Sequence, residues 1–264
     1  KCFANLTEDG TYRYIQNIAG WTMNMESHIA AGYSPKEWRP KAIKYSINLS
    51  ASWNFPMIQH ETNVDIIFII DTTGSMRYWL LAAKNRAREI ANASRRRYPN
   101  ISFRFGAIFY KDPVVQPRDS NVYCQPTENM TTLVNFMSIQ RACGGGGDGP
   151  EDWVGAYDIL LHTILFRRNA TCAVIHIADA PAHGSDWGGH YGRLEREGTR
   201  LDNYMRSCAR ENIFFSGIDI GDYGTPSFRR VRDIYRSEGK SNLFKYHSIS
   251  NVDANMAGDF LQDV

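Results

Sequence analysis

The sequence lacks the features that define several classes of protein. No apolar stretch approaches the roughly 18 residues that a transmembrane helix needs, and the chain has no low-complexity tract and no internal repeat. Neither sign of charge dominates, because 30 basic and 28 acidic side chains give a formal net charge of +2 over 264 residues. There is therefore no bulk attraction to nucleic acid or to anionic lipid. We expect a globular α/β domain with an extension, which binds no nucleic acid and does not insert directly into a membrane.

Cysteine is also scarce, and its spacing excludes two common kinds of site. None of the five cysteines forms a Cys-x-x-Cys pair, which disfavours a zinc ribbon or a thioredoxin-like centre. The odd number precludes complete pairing within the chain, and the pairing itself is left open. Six Asn-x-Ser/Thr sequons, which are glycan acceptors in secreted proteins, favour a secreted or cell-surface glycoprotein over a cytoplasmic protein with chance sequons. They are Asn5, Asn48, Asn92, Asn100, Asn129 and Asn169.

Residues 1–60 differ in pattern from the rest of the chain. Apolar residues at helical spacing between Tyr14 and Met25 predict a short amphipathic helix. Strict alternation of apolar and polar residues from Tyr45 to Trp53 predicts a strand with one buried face. We therefore predict an N-terminal extension over residues 1–60, made of a short helix and a strand, and a main domain over residues 61–264.

Strands and helices alternate along the main domain. The nearly continuous apolar run from Asp65 to Ile70 is typical of a central parallel strand that is covered on both faces. The other predicted strands are 101–110, 171–178, 213–220 and 243–249. The predicted helices are 76–97, 131–139, 153–166, 201–211, 226–236 and 255–262. This alternation predicts a doubly wound, mostly parallel sheet flanked by helices, which is a Rossmann-like α/β fold.

Three loops that join these elements carry oxygen ligands. Asp71-x-Thr73-x-Ser75 follows the central strand, Asp148 lies in a glycine-rich loop that opens a helix, and Asp179 ends the strand 171–178. Ligands of such sheets bind beyond the carboxyl ends of the strands, so we expect the three loops to converge. Carboxylates and hydroxyls suit hard divalent cations, Mg²⁺ above all, with Mn²⁺ or Ca²⁺ as alternatives. The other interpretation is that Asp71 and Ser75 cap the following helix.

These residues resemble the metal-ion-dependent adhesion site of von Willebrand factor type A domains. The resemblance covers about residues 61–264, and it departs from the family's usual pattern because Asp148 stands where a threonine is common. The sequence Gly-Asp148-Gly-Pro-Glu-Asp152, together with the residues around Asp179, further resembles the A domains associated with atypical α-kinases. The resemblance implies that Asp71, Thr73, Ser75, Asp148 and Asp179 hold the cation, directly or through water, and that one position stays open for a partner's carboxylate.

The resemblance implies a non-enzymatic adhesion module that recruits a protein or extracellular-matrix ligand through an acidic residue. The surrounding loops, including His183, Trp187 and Tyr191, are then expected to form the rim that selects this ligand. The alternative is an intracellular regulatory or assembly domain of an atypical α-kinase-type protein. A third hypothesis is a metal-dependent hydrolase with His183 as its base. The chain has no Gly-x-Ser-x-Gly elbow and no His-Glu-x-x-His motif, which disfavours it.

Overall fold

The computed structural model describes residues 63–112, 121–144, 148–189 and 195–249. The helix and strand predicted within residues 1–60, and the helix predicted near 255–262, lie outside the described residues. The boundary predicted at residue 60 accordingly stays a prediction. Within the described ranges, no helix is both long enough and apolar enough to cross a bilayer.

Eight strands and five α-helices make up the described chain. The strands are β1 (Asn63–Asp71), β2 (Ser102–Tyr110), β3 (Val122–Thr127), β4 (Thr171–Ala178), β5 (Ala182–His183), β6 (Gly188–Gly189), β7 (Phe214–Ile220) and β8 (Phe244–Ile249). The helices are α1 (Leu80–Arg97), α2 (Met130–Ile139), α3 (Trp153–His162), α4 (Glu195–Arg210) and α5 (Thr225–Ser237). A short 3₁₀ turn, Gly74–Tyr78, joins β1 to α1.

Six of the strands form the central sheet, in the order β3-β2-β1-β4-β7-β8. All neighbours are parallel except β3, which runs antiparallel to β2. Since right-handed crossovers proceed in opposite directions from the central pair, helices cover both faces of the sheet. The doubly wound, mostly parallel fold predicted from the alternation of elements is confirmed.

Burial on both faces explains the apolar sequence of β1. From Val64 to Asp71 every residue of the strand is buried, as a strand covered by helices on both faces must be. Asp65, near the start of β1, is a buried carboxylate within this apolar strand, and two arginines neutralise its charge. Arg104 Nη2 and Arg167 Nη2 lie 2.5 Å and 2.8 Å from its carboxylate oxygens. This strand holds Asp71 rigidly at its carboxyl end.

The sheet topology also determines where a ligand site can form. The strand order reverses between β1 and β4, and β2 follows β1 on one side while β7 follows β4 on the other. In doubly wound sheets this reversal leaves a crevice beyond the carboxyl ends of the two central strands. Asp71 ends β1, and Asp179 comes directly after β4. The two carboxylates are thus brought to the same crevice by the fold.

Candidate metal site

The loop after β1 is held against its neighbours by backbone hydrogen bonds. The Thr72 amide donates to the Tyr110 carbonyl over 2.9 Å, and the Gly74 amide donates to the Gly144 carbonyl over 2.8 Å. A Cβ atom on Gly74 would lie only 2.4 Å from that same carbonyl oxygen, so no larger residue fits. The glycine therefore lets the loop after β1 and the segment before Asp148 approach each other closely.

Hydrogen bonds connect four of the five predicted metal ligands. Asp71 Oδ1 accepts from the Thr73 amide (2.8 Å) and from its hydroxyl (2.7 Å). The Thr73 and Ser75 hydroxyls are 3.2 Å apart, and Ser75 donates to Asp179 Oδ1 over 3.1 Å. Neither the 3₁₀ turn nor α1 has a side-chain cap at its N-terminus, so helix capping does not account for Asp71 and Ser75.

Two carboxylate oxygens of the predicted ligands have no hydrogen-bond partner. Asp71 Oδ2 and Asp148 Oδ1 are buried and accept no hydrogen bond, an arrangement that costs free energy unless a cation or water compensates it. Asp148 makes no hydrogen bond to the other four residues. No three His, Cys, Asp or Glu side chains of the described ranges converge closely enough to hold a metal ion by themselves. A cation here would therefore need the hydroxyl oxygens of Thr73 and Ser75, and the donor set, all oxygen, fits a hard cation.

The electrostatics of the site favour the arrival of positive charge. Burial, reinforced by the charge of Asp179, raises the pKa of Asp71 to about 8. Burial likewise raises the pKa of Asp179, against the opposing effect of the hydrogen bond from Ser75. Carboxylates that bind protons so readily in a buried site are destabilised as anions. A divalent cation would relieve this repulsion.

Two further buried carboxylates lie close to Asp71, and neither was among the predicted metal ligands. Glu151 and Asp112 are 4% and 0% exposed, and burial, together with the charges of Asp71 and Asp112, raises the pKa of Glu151 to about 10. The signal for Asp112 was its position just after β2, at the carboxyl end of a parallel strand. Glu151 could have been found from its place in the loop that opens α3.

Comparison with known proteins decides the family. Residues 65–187 match the sequence profile of the von Willebrand factor A domain. The alpha-protein kinase vwkA of Dictyostelium discoideum is 31% identical over 242 residues, which cover 84% of this chain. The chain carries a von Willebrand factor A domain. It spans 38% of the length of vwkA.

Among solved structures, the A domain is similar to the pilus adhesin SpaC from Lactobacillus rhamnosus GG. Two crystal structures of SpaC, one of them in an open conformation, match over 78% of this chain and 31% of their own chains. The sequence identities are 14% and 16%, and the TM-scores are 0.49 and 0.47.

The predicted rim of the A domain needs correction at two positions. His183 is 2% exposed and Trp187 is fully buried, so neither lines an open surface. Trp187 packs against Trp153 with ring centroids 6.3 Å apart, and its indole nitrogen donates to the Gly198 carbonyl. The loop after β4 contributes to the core because a large aromatic side chain gains more by burial than by exposure. Tyr191 lies outside the described residues.

The buried position of His183 also bears on the hydrolase hypothesis. Its Nε2 atom lies 3.7 Å from Asp112 Oδ1, and it makes no hydrogen bond to Ser75. Nothing in this geometry aligns the imidazole as a base for the Ser75 hydroxyl, since a general base must lie within hydrogen-bonding reach of the proton that it removes.

The structure shows which sequons are exposed and which cysteines are unpaired. Of the six sequons, Asn92, Asn100, Asn129 and Asn169 are exposed, whereas Asn5 and Asn48 lie outside the described residues. Asn129 also caps α2 by accepting from the Thr131 and Thr132 amides. The four cysteines of the described ranges, at positions 124, 143, 172 and 208, are unpaired.

Proposed function

We propose that this A domain is a non-enzymatic binding module that holds a divalent cation and recruits a protein ligand through an acidic residue. Asp71, Thr73, Ser75, Asp148 and Asp179 would hold the ion, which is Mg²⁺, or alternatively Mn²⁺ or Ca²⁺. The observation that carries this proposal is the hydrogen-bonded chain from Asp71 to Asp179, beside a buried Asp71 oxygen that has no partner.

The residues of the site suit a cation that keeps an exchangeable position. Thr73 and Ser75 offer neutral hydroxyl oxygens, so the ion would keep more of its positive charge than in a site made of carboxylates alone. Ser75 is exposed while Asp71 and Thr73 are buried, so the site opens to solvent on the Ser75 side. When bound, the ion supplies a Lewis acid to which a partner's carboxylate can coordinate.

The position of His183 supports a binding role over a catalytic one, because this proposed base does not reach Ser75, and the carboxylate that does, Asp179, is itself a proposed ligand of the ion. Catalysis of hydrolysis would need a group to activate water or the serine hydroxyl. His183, which the sequence offered for this role, is buried beside Asp112. We therefore propose that Ser75 acts as a ligand of the ion and not as a nucleophile.

A second candidate function is an intracellular assembly domain of an atypical α-kinase-type protein. It is supported by the identity of 31% to the alpha-protein kinase vwkA and by the unpaired cysteines of the described ranges. In a secreted protein we would expect cysteines to be paired more often. Mass spectrometry of peptides from the native source decides between the two locations. Glycans on Asn92, Asn100 or Asn169 support secretion, and unmodified peptides with free thiols support the intracellular alternative.

Isothermal titration calorimetry with MgCl₂ and MnCl₂ tests the proposed site. We expect saturable binding by the wild type and its loss in the double variant Asp71→Ala with Ser75→Ala. A matched control is Asp233→Ala with Ser237→Ala, which removes an exposed carboxylate and a hydroxyl near the C-terminal end of α5. Equal binding by the wild type and by the site variant, or no binding by either, would overturn the proposal.

A further inference from the structure

Three cationic side chains lie together on one flank of the candidate site. We call Lys84, Lys111 and Arg141 the basic flank. Lys111 directly follows Tyr110, whose carbonyl accepts hydrogen bonds from both the amide and the hydroxyl of Thr72. Its Nζ atom lies 3.0 Å from Cys143 Sγ, and the Cys143 amide donates to the Thr72 carbonyl over 3.1 Å. The ammonium group of Lys111 is therefore tied to the motif that follows β1.

The other two cations are attached to the same segment of chain. Lys84 Nζ donates to the Gln140 carbonyl over 2.7 Å. Arg141 Nη1 donates to the Ser138 carbonyl (2.7 Å) and to the Gln140 carbonyl (3.0 Å). This segment continues through Cys143 to Gly144, which is hydrogen-bonded to Gly74. All three charges thus lie at the carboxyl end of the sheet, on the β2 side of the crevice.

None of these cations pairs with a carboxylate in the described part of the chain. Lys84 and Arg141 bind only carbonyl oxygens, and Lys111 binds a thiol. Burial, and then the charge of Arg141, lowers the pKa of Lys84 to about 8, as expected where like charges gather without a counterion. Elsewhere in the described chain most arginines of α4 and α5 do pair with acids, for example Arg230 with Asp202.

The opposite flank of the crevice has the opposite character. The described loop residues 179–189 after β4 and 221–224 after β7 contain no lysine or arginine, but they carry the exposed carboxylates of Asp186 and Asp222. Among the described loop residues, the charge around the candidate site is therefore polarised across the crevice, from basic at the β2 side to acidic at the β7 side. An extended ligand with several carboxylates would be attracted to one side and repelled from the other.

We infer that the partner of this A domain is an acidic peptide segment, in which one carboxylate reaches the cation and neighbouring carboxylates bind Lys111 and Arg141 of the basic flank. The inference rests on the proposed function for the first contact only. It adds the class of ligand, a segment with at least two further acidic residues, and the direction in which this segment leaves the site.

Fluorescence anisotropy with two labelled ten-residue glycine–serine peptides, one carrying a single glutamate and one carrying three, tests the inference on the full chain in saturating Mg²⁺. We expect the wild type to bind the three-glutamate peptide more tightly, and the double variant Lys111→Gln with Arg141→Gln to bind it about three- to tenfold more weakly than the wild type. The matched control is Arg96→Gln with Arg97→Gln, which removes two cations at the far end of α1 and should leave both affinities unchanged.

The outcomes separate this inference from the proposed function. If Mg²⁺ binds by calorimetry but the wild type binds both peptides equally or neither, the inference is overturned and the metal site stands. It is also overturned if the Lys111/Arg141 variant keeps its peptide affinity. If that variant at the same time loses affinity for phosphatidylserine vesicles, the basic flank serves a membrane instead. If the wild type does not bind Mg²⁺, the proposed function is overturned.

Discussion

At the scale of single residues, His176 shows how a buried polar side chain can be fully satisfied. It lies within β4 with no exposure. Tyr110 Oη is 2.9 Å from its Nε2 atom and Tyr157 Oη is 3.1 Å from its Nδ1 atom. A neutral imidazole offers one donor and one acceptor, so it suits two hydroxyl groups. Burial lowers the pKa of His176 to about 3.

This shift predicts that the stabilising contribution of His176 is lost in acid. The unfolded histidine binds its proton near pH 6.5, and the folded one only near pH 3, so the unfolded state binds more protons between these values. The contribution of His176 to the free energy of unfolding therefore falls as the pH drops below about 6.5, with a slope that approaches about 1.4 kcal/mol per pH unit. The raised pKa values of Asp71 and Glu151 act in the opposite direction over this range, so the contribution of His176 is the difference between the wild type and a variant that lacks it. Urea unfolding at pH 7 and pH 5 measures this. We expect His176→Gln to be destabilised by about 2 kcal/mol at pH 7 and nearly equal to the wild type at pH 5.

The control for this prediction is His162→Gln, since the His162 side chain is 60% exposed. Its pH dependence should follow that of the wild type. If the free energies of unfolding of His176→Gln and of the wild type change equally from pH 7 to pH 5, His176 makes no pH-dependent contribution to stability in this range.

Trp187 gives a second prediction at the residue scale, because its position corrects the expected rim. The substitution Trp187→Phe removes the indole hydrogen bond to Gly198 and part of the packing against Trp153. We expect a loss of about 1–3 kcal/mol in the free energy of unfolding and no change in Mg²⁺ affinity. Chemical denaturation and calorimetry on the same variant check both. A rim role would show the reverse, with intact stability and weakened peptide binding.

At the scale of elements, the sequence predicted every strand of the central sheet except β3, including the edge strand β8. The prediction for 171–178 matches β4 to the residue, and the run from Asp65 to Ile70 lies within β1, because burial on both faces selects apolar side chains. Strand β3 was not predicted at all. It is an edge strand that contains Pro126, and its alternation is broken by the register shift opposite Phe105 and Ala107.

Helix boundaries were predicted less well where a tertiary contact decides them. Helix α4 begins at Glu195, six residues before the prediction, and it includes Gly198. Glycine weakens a helix in isolation, but a Cβ at this position would come within 3.2 Å of Trp187. Helix α1 begins at Leu80 because the residues before it form the 3₁₀ turn of the candidate site. Four of the residues predicted near strand ends do lie together, whereas the predicted rim depended on packing that the sequence does not show.

The contact between β2 and β3 predicts a strong effect of one methyl group. A Cβ on Gly106 would lie 2.7 Å from the Cys124 carbonyl oxygen and 2.8 Å from Ile67 Cδ1, so Gly106→Ala forces the edge strand away from the sheet. We expect a loss of about 1–3 kcal/mol in the free energy of unfolding, measured by urea denaturation. Gly149→Ala is the matched control, since nothing lies within 4 Å of its added Cβ. Equal stability of the two variants would contradict the described β2–β3 packing.

At the scale of the whole molecule, a cation at the candidate site links ligand binding to stability. The buried carboxylates of Asp71, Glu151 and Asp179 repel one another when they are charged, so an ion that binds only the folded state must stabilise it. With Mg²⁺ at about 100 times its Kd, we expect the thermal unfolding midpoint to rise by about 5 °C relative to chelated protein. Differential scanning calorimetry measures this rise, which Asp71→Ala with Ser75→Ala should abolish. An equal rise in both proteins would place the ion elsewhere.

The most direct test of the account is the position of the ion itself. We would soak crystals of the full chain in MnCl₂ and record anomalous diffraction near the manganese absorption edge. The account predicts one strong anomalous peak beyond the carboxyl ends of β1 and β4, in contact with the Ser75 and Thr73 hydroxyls and close to Asp71, Asp148 and Asp179. An occupied site away from these residues, or no peak in a crystal whose crevice is open to solvent, would contradict it.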